Sequence, residues 1–129
     1  MRYVYMAVDG DDIGPQLRTP IINNDIEGAA AFSRGVIEYF AQLRNVFADN
    51  GCEIILCAGD SLLARTIATD DFNWLSTLPC GLCTVSIGIG ASAEYAYLAL
   101  QLAKARGKRR IVRIDQASAE TFHVWNNDD

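Results

Sequence analysis

Histidine is almost missing from this chain: His123 is the single one among 129 residues. It lies near the polar end Asn126-Asn127-Asp128-Asp129, so hydrolytic schemes built on a histidine base have little to work with. Cysteine is scarce, with Cys52, Cys57, Cys80 and Cys83 as the four. Cys80-x-x-Cys83 has metal-ligand spacing, but Cys52 and Cys57 lack tight knuckle spacing and Cys57 sits inside an apolar run. Buried free thiols in a reducing compartment, without structural zinc, are the expectation. No apolar run approaches the ~20 residues of a membrane span, and the N-terminal stretch meets Asp9 too early for a secretory signal. A cytoplasmic protein without membrane association is expected.

Basic residues are few as well, 11 against 16 acidic, for a net charge of −5. That excludes a general polyanion-binding surface, and no stable nucleic-acid binding is expected. The positive charge is nevertheless gathered in one place. Lys104, Arg106, Lys108, Arg109 and Arg110 crowd one short stretch, as suits a local anionic ligand.

What is present is an ordinary globular composition, 50% hydrophobic and 21% charged. The length fits one domain over residues 1–129, able to bury about two thirds of its unfolded surface. Residues 2–8 form an apolar run that ends at Asp9, as a buried strand does. Gly10, Gly14 and Pro15 then read as a turn and loop. From Asp25 to Asn50, Ala29, Phe32, Val36, Phe40, Leu43 and Phe47 recur at helical spacing, and Gly51 stops the helix. Cys52–Cys57 and Ser61–Ile67 read as two strands with hairpin spacing. Asp70–Leu78 holds a short helical turn. Cys83–Gly90 alternates, with Val85, Ile87 and Ile89 on one face. Tyr95, Leu98, Ala99, Leu102 and Ala103 mark a second long helix, closed by Gly107. Arg110–Ile114 is a fifth strand, and Ala117–Trp125 has room for a further short element. The order is that of the split βαβ, ferredoxin-like α+β fold, βαββαβ, with an antiparallel sheet and helices on one face.

That fold sets the end of the first strand beside the turn joining the second and third strands. Asp9 and Asp60 are then neighbours in space, next to glycine backbone, and make a candidate divalent-metal site. The bland reading of Asp9-Gly10-Asp11-Asp12 is a solvated acidic turn. The bland reading of Gly59-Asp60 is an ordinary hairpin turn. Lys104 and Lys108 share one helix face with Tyr97 and Gln101, provided the helix reaches Lys108. Cations at a helix end also complement its dipole, which accounts for one or two charges and not for five.

Ser86-Ile87-Gly88-Ile89, followed by Ala103-Lys104-x-x-Gly107-Lys108-Arg109-Arg110-Ile111-Val112, resembles the closing half of a GGDEF diguanylate cyclase domain. Asp9-Gly10-Asp11 falls where that family has its first metal aspartate, and Ala58-Gly59-Asp60-Ser61 where it has its signature hairpin. The acidic run and the small size are closer to the polymerase palm of type III CRISPR complexes. The best match is the free-standing minimal CRISPR polymerase family, and the resemblance runs from the first strand to Val112. It implies a palm nucleotidyltransferase that joins ATP into a cyclic di- or oligonucleotide second messenger in prokaryotic antiviral defence. A separate effector protein would read the messenger, and a homodimer would present facing sites. Two Mg²⁺ ions per site, with Mn²⁺ as a substitute, would be held by Asp9, the Gly10 carbonyl and Asp60, the two aspartates being catalytic. Backbone amides of Asp12, Ile13 and Gly14 would cradle the triphosphate, Lys104 and Lys108 would neutralise it, and Gly59 and Ser61 would border the nucleotide. Ala58 replaces the first signature glycine and Ser61 the second acid. The guanine-reading Asn and Asp of diguanylate cyclases have no counterpart, so adenine is expected. A class III-like mononucleotide cyclase and a catalytically inactive nucleotide-binding palm are the competing readings.

Overall fold

The computed structural model describes residues 2–69, 71–79, 81–115 and 118–123. β1 (Tyr3–Gly10) is followed by α1 (Ile13–Ile22) and α2 (Ile26–Asp49). Next come the hairpin strands β2 (Glu53–Ala58) and β3 (Ser61–Ile67) and a 3₁₀ turn at Asn73–Thr77. β4 (Val85–Gly90), α3 (Ala93–Ala105), β5 (Ile111–Asp115) and β6 (Ser118–His123) follow. The six strands form one sheet in the order β2-β3-β1-β4-β5-β6. β1 lies in the middle, antiparallel to both β3 and β4, so its C-terminal end is flanked on both sides.

Alternation along β1 divides the core in two. Val4, Met6 and Val8 face α2 and meet Val36, Phe40, Leu43 and Phe47, together with Ile87 and Ile89 of β4. Each of those large side chains contributes roughly 1.5–3 kcal/mol by leaving water. Tyr5 and Ala7 point the other way and pack with Ala96 and Leu100 of α3. The α+β palm class therefore holds, with two particulars corrected. The helices cover both faces of the sheet rather than one, and β4 pairs with β5 in parallel rather than antiparallel. The cause of both is the β4-α3-β5 crossover, which lays α3 on the face away from α2.

Glycine on β4 makes that possible. A Cβ built on Gly88 would stand 2.1 Å from the Ala96 carbonyl oxygen and 2.2 Å from the Leu100 nitrogen. With alanines 96, 99 and 103 on the opposing side of α3, all fully buried, helix and sheet backbones come into direct contact. The last turn of α3 is thereby delivered to the end of β1.

The segment after Asp12 is a helix, α1, and not the loop that Gly14 and Pro15 suggest. Pro15 stands in the first turn, where a backbone N–H has no intrahelical acceptor to lose. Pro20 lies inside the helix, and α1 buries no residue fully. Asp70, Cys80 and the ends of the Ala117–Trp125 segment lie outside the described residues. Within that segment β6 pairs antiparallel with β5.

Candidate active site

The C-terminal end of β1 is fixed by two backbone bonds to different strands. Gly10 N–H donates to the Asp60 carbonyl at 2.9 Å, and Asp11 N–H donates to the Thr84 carbonyl at 2.8 Å. Asp60 belongs to a two-residue turn closed by the Ala58–Ser61 pair. Gly59 takes φ 59° there, a conformation that costs glycine little. The hairpin thus sets Asp60 against Gly10, and a Cβ on Gly10 would lie 3.4 Å from that of Asp60 and 2.9 Å from Ile13 Cγ1. Asp9, paired with Ser61, turns its side chain to the α3 face. Its Oδ1 accepts from Ser61 Oγ at 3.0 Å.

Lys104 closes the group from α3. Its ammonium lies 3.0 Å from Asp9 Oδ2, 2.8 Å from the Gly10 carbonyl oxygen and 3.3 Å from Asp11 Oδ1. Two of these three oxygens are the ones the sequence nominates as metal ligands, so the structure shows them converging on one cationic atom. The Asp60 backbone lies beside Gly10, whose N–H its carbonyl accepts.

Asp11 was not among the nominated site residues, and it is the most constrained of the acids. Its residue is 1% exposed, against half-exposed Asp12, so the acidic run is not a solvated turn throughout. Asp11 Oδ1 accepts from Ser86 Oγ at 2.7 Å, and Oδ2 accepts from Thr84 Oγ1 at 2.7 Å and from Arg109 N–H at 3.0 Å. Ser86 Oγ also accepts from Arg109 N–H at 3.0 Å. A buried carboxylate with this many donors ties β1, β4 and the segment after α3 into one unit. The available signal was Ser86 itself, a hydroxyl in an otherwise apolar strand that needs a buried partner. Cys83 lies within electrostatic reach. Burial first, then Asp11 and Asp60, push its thiol up to about 11.

Lys108 reaches the site by a different route from the helix face expected of it. α3 ends at Ala105, Arg106 caps it, and Gly107 takes φ 118°. Lys108 and Arg109 then follow at φ 65° and 53°. Two consecutive non-glycine residues in the left-handed region cost roughly 1–3 kcal/mol each. Bonds from Arg109 N–H to Asp11 and Ser86, and from Lys108 N–H to the Ala103 carbonyl at 3.0 Å, hold them. The loop aims Lys108 at Asp12, with which it forms an ion pair. Its hydrogen bond to Asp12 raises the Lys108 pKa above the ordinary lysine value. Tyr97 and Gln101 remain exposed on α3. Arg113 extends from the other face of the sheet to the Phe72 ring, 5.5 Å away, and to Asp115 at 3.2 Å.

Asp12 is the N-cap of α1 at φ 58°, with no cap bond from its side chain. Gly14 is exposed, and a Cβ there would meet nothing within 4 Å. Ile13 packs against the α2 core. The start of α1 therefore opens beside Lys108. Cys52 and Cys83 are buried in the α2-side core.

The chain matches the family model described as mCpol, minimal CRISPR polymerase domain, over residues 5–114. No curated protein matches it. Among solved structures it is similar to a Csm1–Csm4 cassette in complex with cA4, with TM-score 0.67, 17% identity and 88% of this chain covered. A Csm1–Csm4 cassette in complex with one ATP gives TM-score 0.67, 16% identity and 90% coverage. The chain spans 21% of the length of each of those chains, about a fifth. The active GGEEF domain of a diguanylate cyclase from Vibrio cholerae gives TM-score 0.64 at 13% identity, covering 91% of this chain and 85% of that one.

Proposed function

The chain belongs to the minimal CRISPR polymerase family, and from that premise we propose that it joins ATP into a cyclic di- or oligonucleotide messenger. It is a palm of the nucleotide cyclase and polymerase kind. The observation that carries the finer reading is the convergence of Asp9 Oδ2 and the Gly10 carbonyl on one cation, the Lys104 ammonium, with the Asp60 backbone bonded to Gly10. These are hard oxygen donors, few in number, which is the donor set Mg²⁺ prefers when substrate phosphates supply the rest. The residues present therefore fit the ion. Asp9, the Gly10 carbonyl and Asp60 would hold it, two ions per site, with Mn²⁺ as a substitute. When bound, such a pair of ions activates the attacking hydroxyl and stabilises charge on the transferred phosphoryl and the leaving pyrophosphate.

The chain's own part is positioning and electrostatics. Lys108, on its left-handed loop, and the first N–H groups of α1 at Asp12, Ile13 and Gly14 bind the triphosphate, since a helix start with unpaired N–H groups favours an anion. Lys104 neutralises a further phosphate oxygen. Gly59 and Ser61 border the nucleotide at the hairpin, and Ser61 orients Asp9 through their hydrogen bond. Adenine is favoured because structural relatives were solved with ATP and with cA4. Two or more bond-forming steps per product, one for each unit of the ring, suit a homodimer with facing sites. The messenger is read by a separate effector in antiviral defence, in the cytoplasm, without membrane or stable nucleic-acid binding.

Purified protein incubated with labelled ATP and Mg²⁺ tests this by chromatography of the products. A cyclic adenylate of two or more units is expected, and none from Asp9→Ala or Asp60→Ala. Cyclic mononucleotide as the sole product assigns the chain to the mononucleotide cyclases instead. Absence of turnover in the wild type makes it an inactive nucleotide-binding palm.

A further inference from the structure

We infer that Lys104 is the resident cation of the nucleotide-free site and that it and the divalent ion exchange places on Asp9 and Gly10. The inference rests on the reading of those two residues as metal ligands. Its ground is geometric. The Lys104 ammonium is within 3.0 Å of Asp9 Oδ2 and 2.8 Å of the Gly10 carbonyl oxygen. A divalent ion at its ordinary distance of about 2.1 Å from the same two oxygens would lie beside that ammonium. Like charges this close repel strongly in a partly buried groove. Both cannot occupy the two oxygens together.

Asp11 decides where the lysine goes. Its carboxylate is anchored by Thr84, Ser86 and the Arg109 N–H, and it holds Lys104 at 3.3 Å through Oδ1. Asp11 is therefore a positioning residue. It keeps a hold on the ammonium while the long, flexible stem of Lys104 lets the head turn away from Asp9. The displaced charge needs a new partner, and a triphosphate entering beside Lys108 supplies one. The exchange couples the two ligands: each arriving ion releases a lysine for phosphate, and each arriving phosphate draws the lysine off the metal ligands. In the absence of nucleotide the lysine suppresses metal binding, so an ion pair inside the protein protects a cluster of acids that would otherwise repel one another.

The test is Mn²⁺ binding to the full chain without nucleotide, read from the electron paramagnetic resonance of free Mn²⁺. Lys104→Met, which keeps the stem and removes the charge, is expected to bind Mn²⁺ about ten- to a hundredfold more tightly than the wild type, as loss of a competing charge-assisted contact predicts. Adding Asp9→Asn to that variant should abolish the gain. Equal affinity of wild type and Lys104→Met, or no measurable binding to either, overturns the exchange. Tight binding that survives Asp9→Asn overturns the assignment of Asp9 as a ligand, a different failure. A wild-type measurement avoids reliance on the variants. The ¹⁵N signal of the Lys104 ammonium should shift as Mg²⁺ is added, and a signal indifferent to saturating Mg²⁺ also overturns the exchange.

Discussion

Replacing Asp11 by alanine should unfold this protein at a markedly lower temperature, although Asp11 is not one of the proposed metal ligands. Its residue is 1% exposed and its carboxylate accepts from Thr84, Ser86, Arg109 N–H and Lys104. Hydrogen bonds to a charged group contribute about 1.5–3 kcal/mol each. Their sum overstates the effect, because the variant no longer buries a carboxylate, a gain of several kcal/mol. The Arg109 N–H also keeps Ser86 Oγ as an acceptor. Removing one partner of a buried charged network costs about 3–5 kcal/mol net. For a chain of this length each kcal/mol moves Tm by roughly 3–5 °C, so a fall of about 10–25 °C is expected. Asp11→Asn keeps the volume and one acceptor oxygen but turns an NH₂ group toward donors, so it should fall between alanine and wild type. Asp9→Ala is the contrast. The Asp9 side chain is 30% exposed, and solvent screens its ion pair with Lys104, so a loss of ~1 kcal/mol or less is expected. Thermal and urea denaturation followed by circular dichroism measure all three. An Asp11→Ala protein within about 1 kcal/mol of wild type would refute the buried-network argument.

Lys104→Ala and Lys108→Ala should each lower ATP use about ten- to a hundredfold, less so at high salt. Arg113→Ala, on the α2 face against Phe72, should keep wild-type kinetics, and an unaffected Lys104→Ala/Lys108→Ala double variant would refute the phosphate clamp. Gly88→Ala drives a Cβ to 2.1 Å from α3 backbone. It should cost about 3 kcal/mol of stability by overpacking and reduce activity by shifting Lys104, whereas wild-type behaviour in both assays would refute the close approach of helix and sheet. Burial pushes the Cys52 and Cys83 thiols from 9.0 up to about 11. The folded state therefore favours the neutral thiols, a contribution fully present below pH 9 and lost as pH rises toward 11. Alkylation of these two should be slow at pH 8 in the native protein and fast in urea, and fast native alkylation would contradict their burial. Protein purified without added metal should carry far less than one zinc per chain by elemental analysis, and stoichiometric zinc would refute the free-thiol expectation.

Most elements were legible because their signals are local. The apolar run before Asp9, the Val36-Phe40-Leu43-Phe47 spacing and the Gly59-Asp60 turn each specify one element. α1 was illegible for two physical reasons. Its apolar positions, Ile13, Leu17 and Pro20, are only half-buried and interrupted by Gly14 and Pro15, and Pro15 reads as a breaker although the first helical turn tolerates it. Placing both helices on one face missed a signal that β4 does contain. Ile87 and Ile89 alternate with Gly88 and Gly90, so one face presents bulk and the other presents nothing. A face with no side chains is not an exposed face when a helix of alanines follows it. It is the seat of that helix.

The placement of the candidate residues was legible where they sit at the ends of elements: Asp9 and Gly10 close β1, Asp60 turns the hairpin, and Lys104 ends α3. Lys108 comes to the site by a route that periodicity misdescribes. The interval of four suggests one helix face, yet the helix stops at Ala105 and a left-handed loop turns Lys108 toward Asp12. Asp11 and Ser86 hold that loop through the Arg109 N–H, and Lys108 N–H adds its bond to the Ala103 carbonyl, so the placement of Lys108 depends on a buried carboxylate that it does not itself pair with. Asp11 was hidden among its neighbours because three acids in succession look alike in sequence. Burial separates them: Asp9 half-buried and paired to Lys104, Asp11 enclosed, Asp12 exposed and paired to Lys108. One acidic run thus supplies a proposed metal ligand, a structural anchor and an ion-pair partner for Lys108. The difference among the three comes from which strand or helix end each one meets.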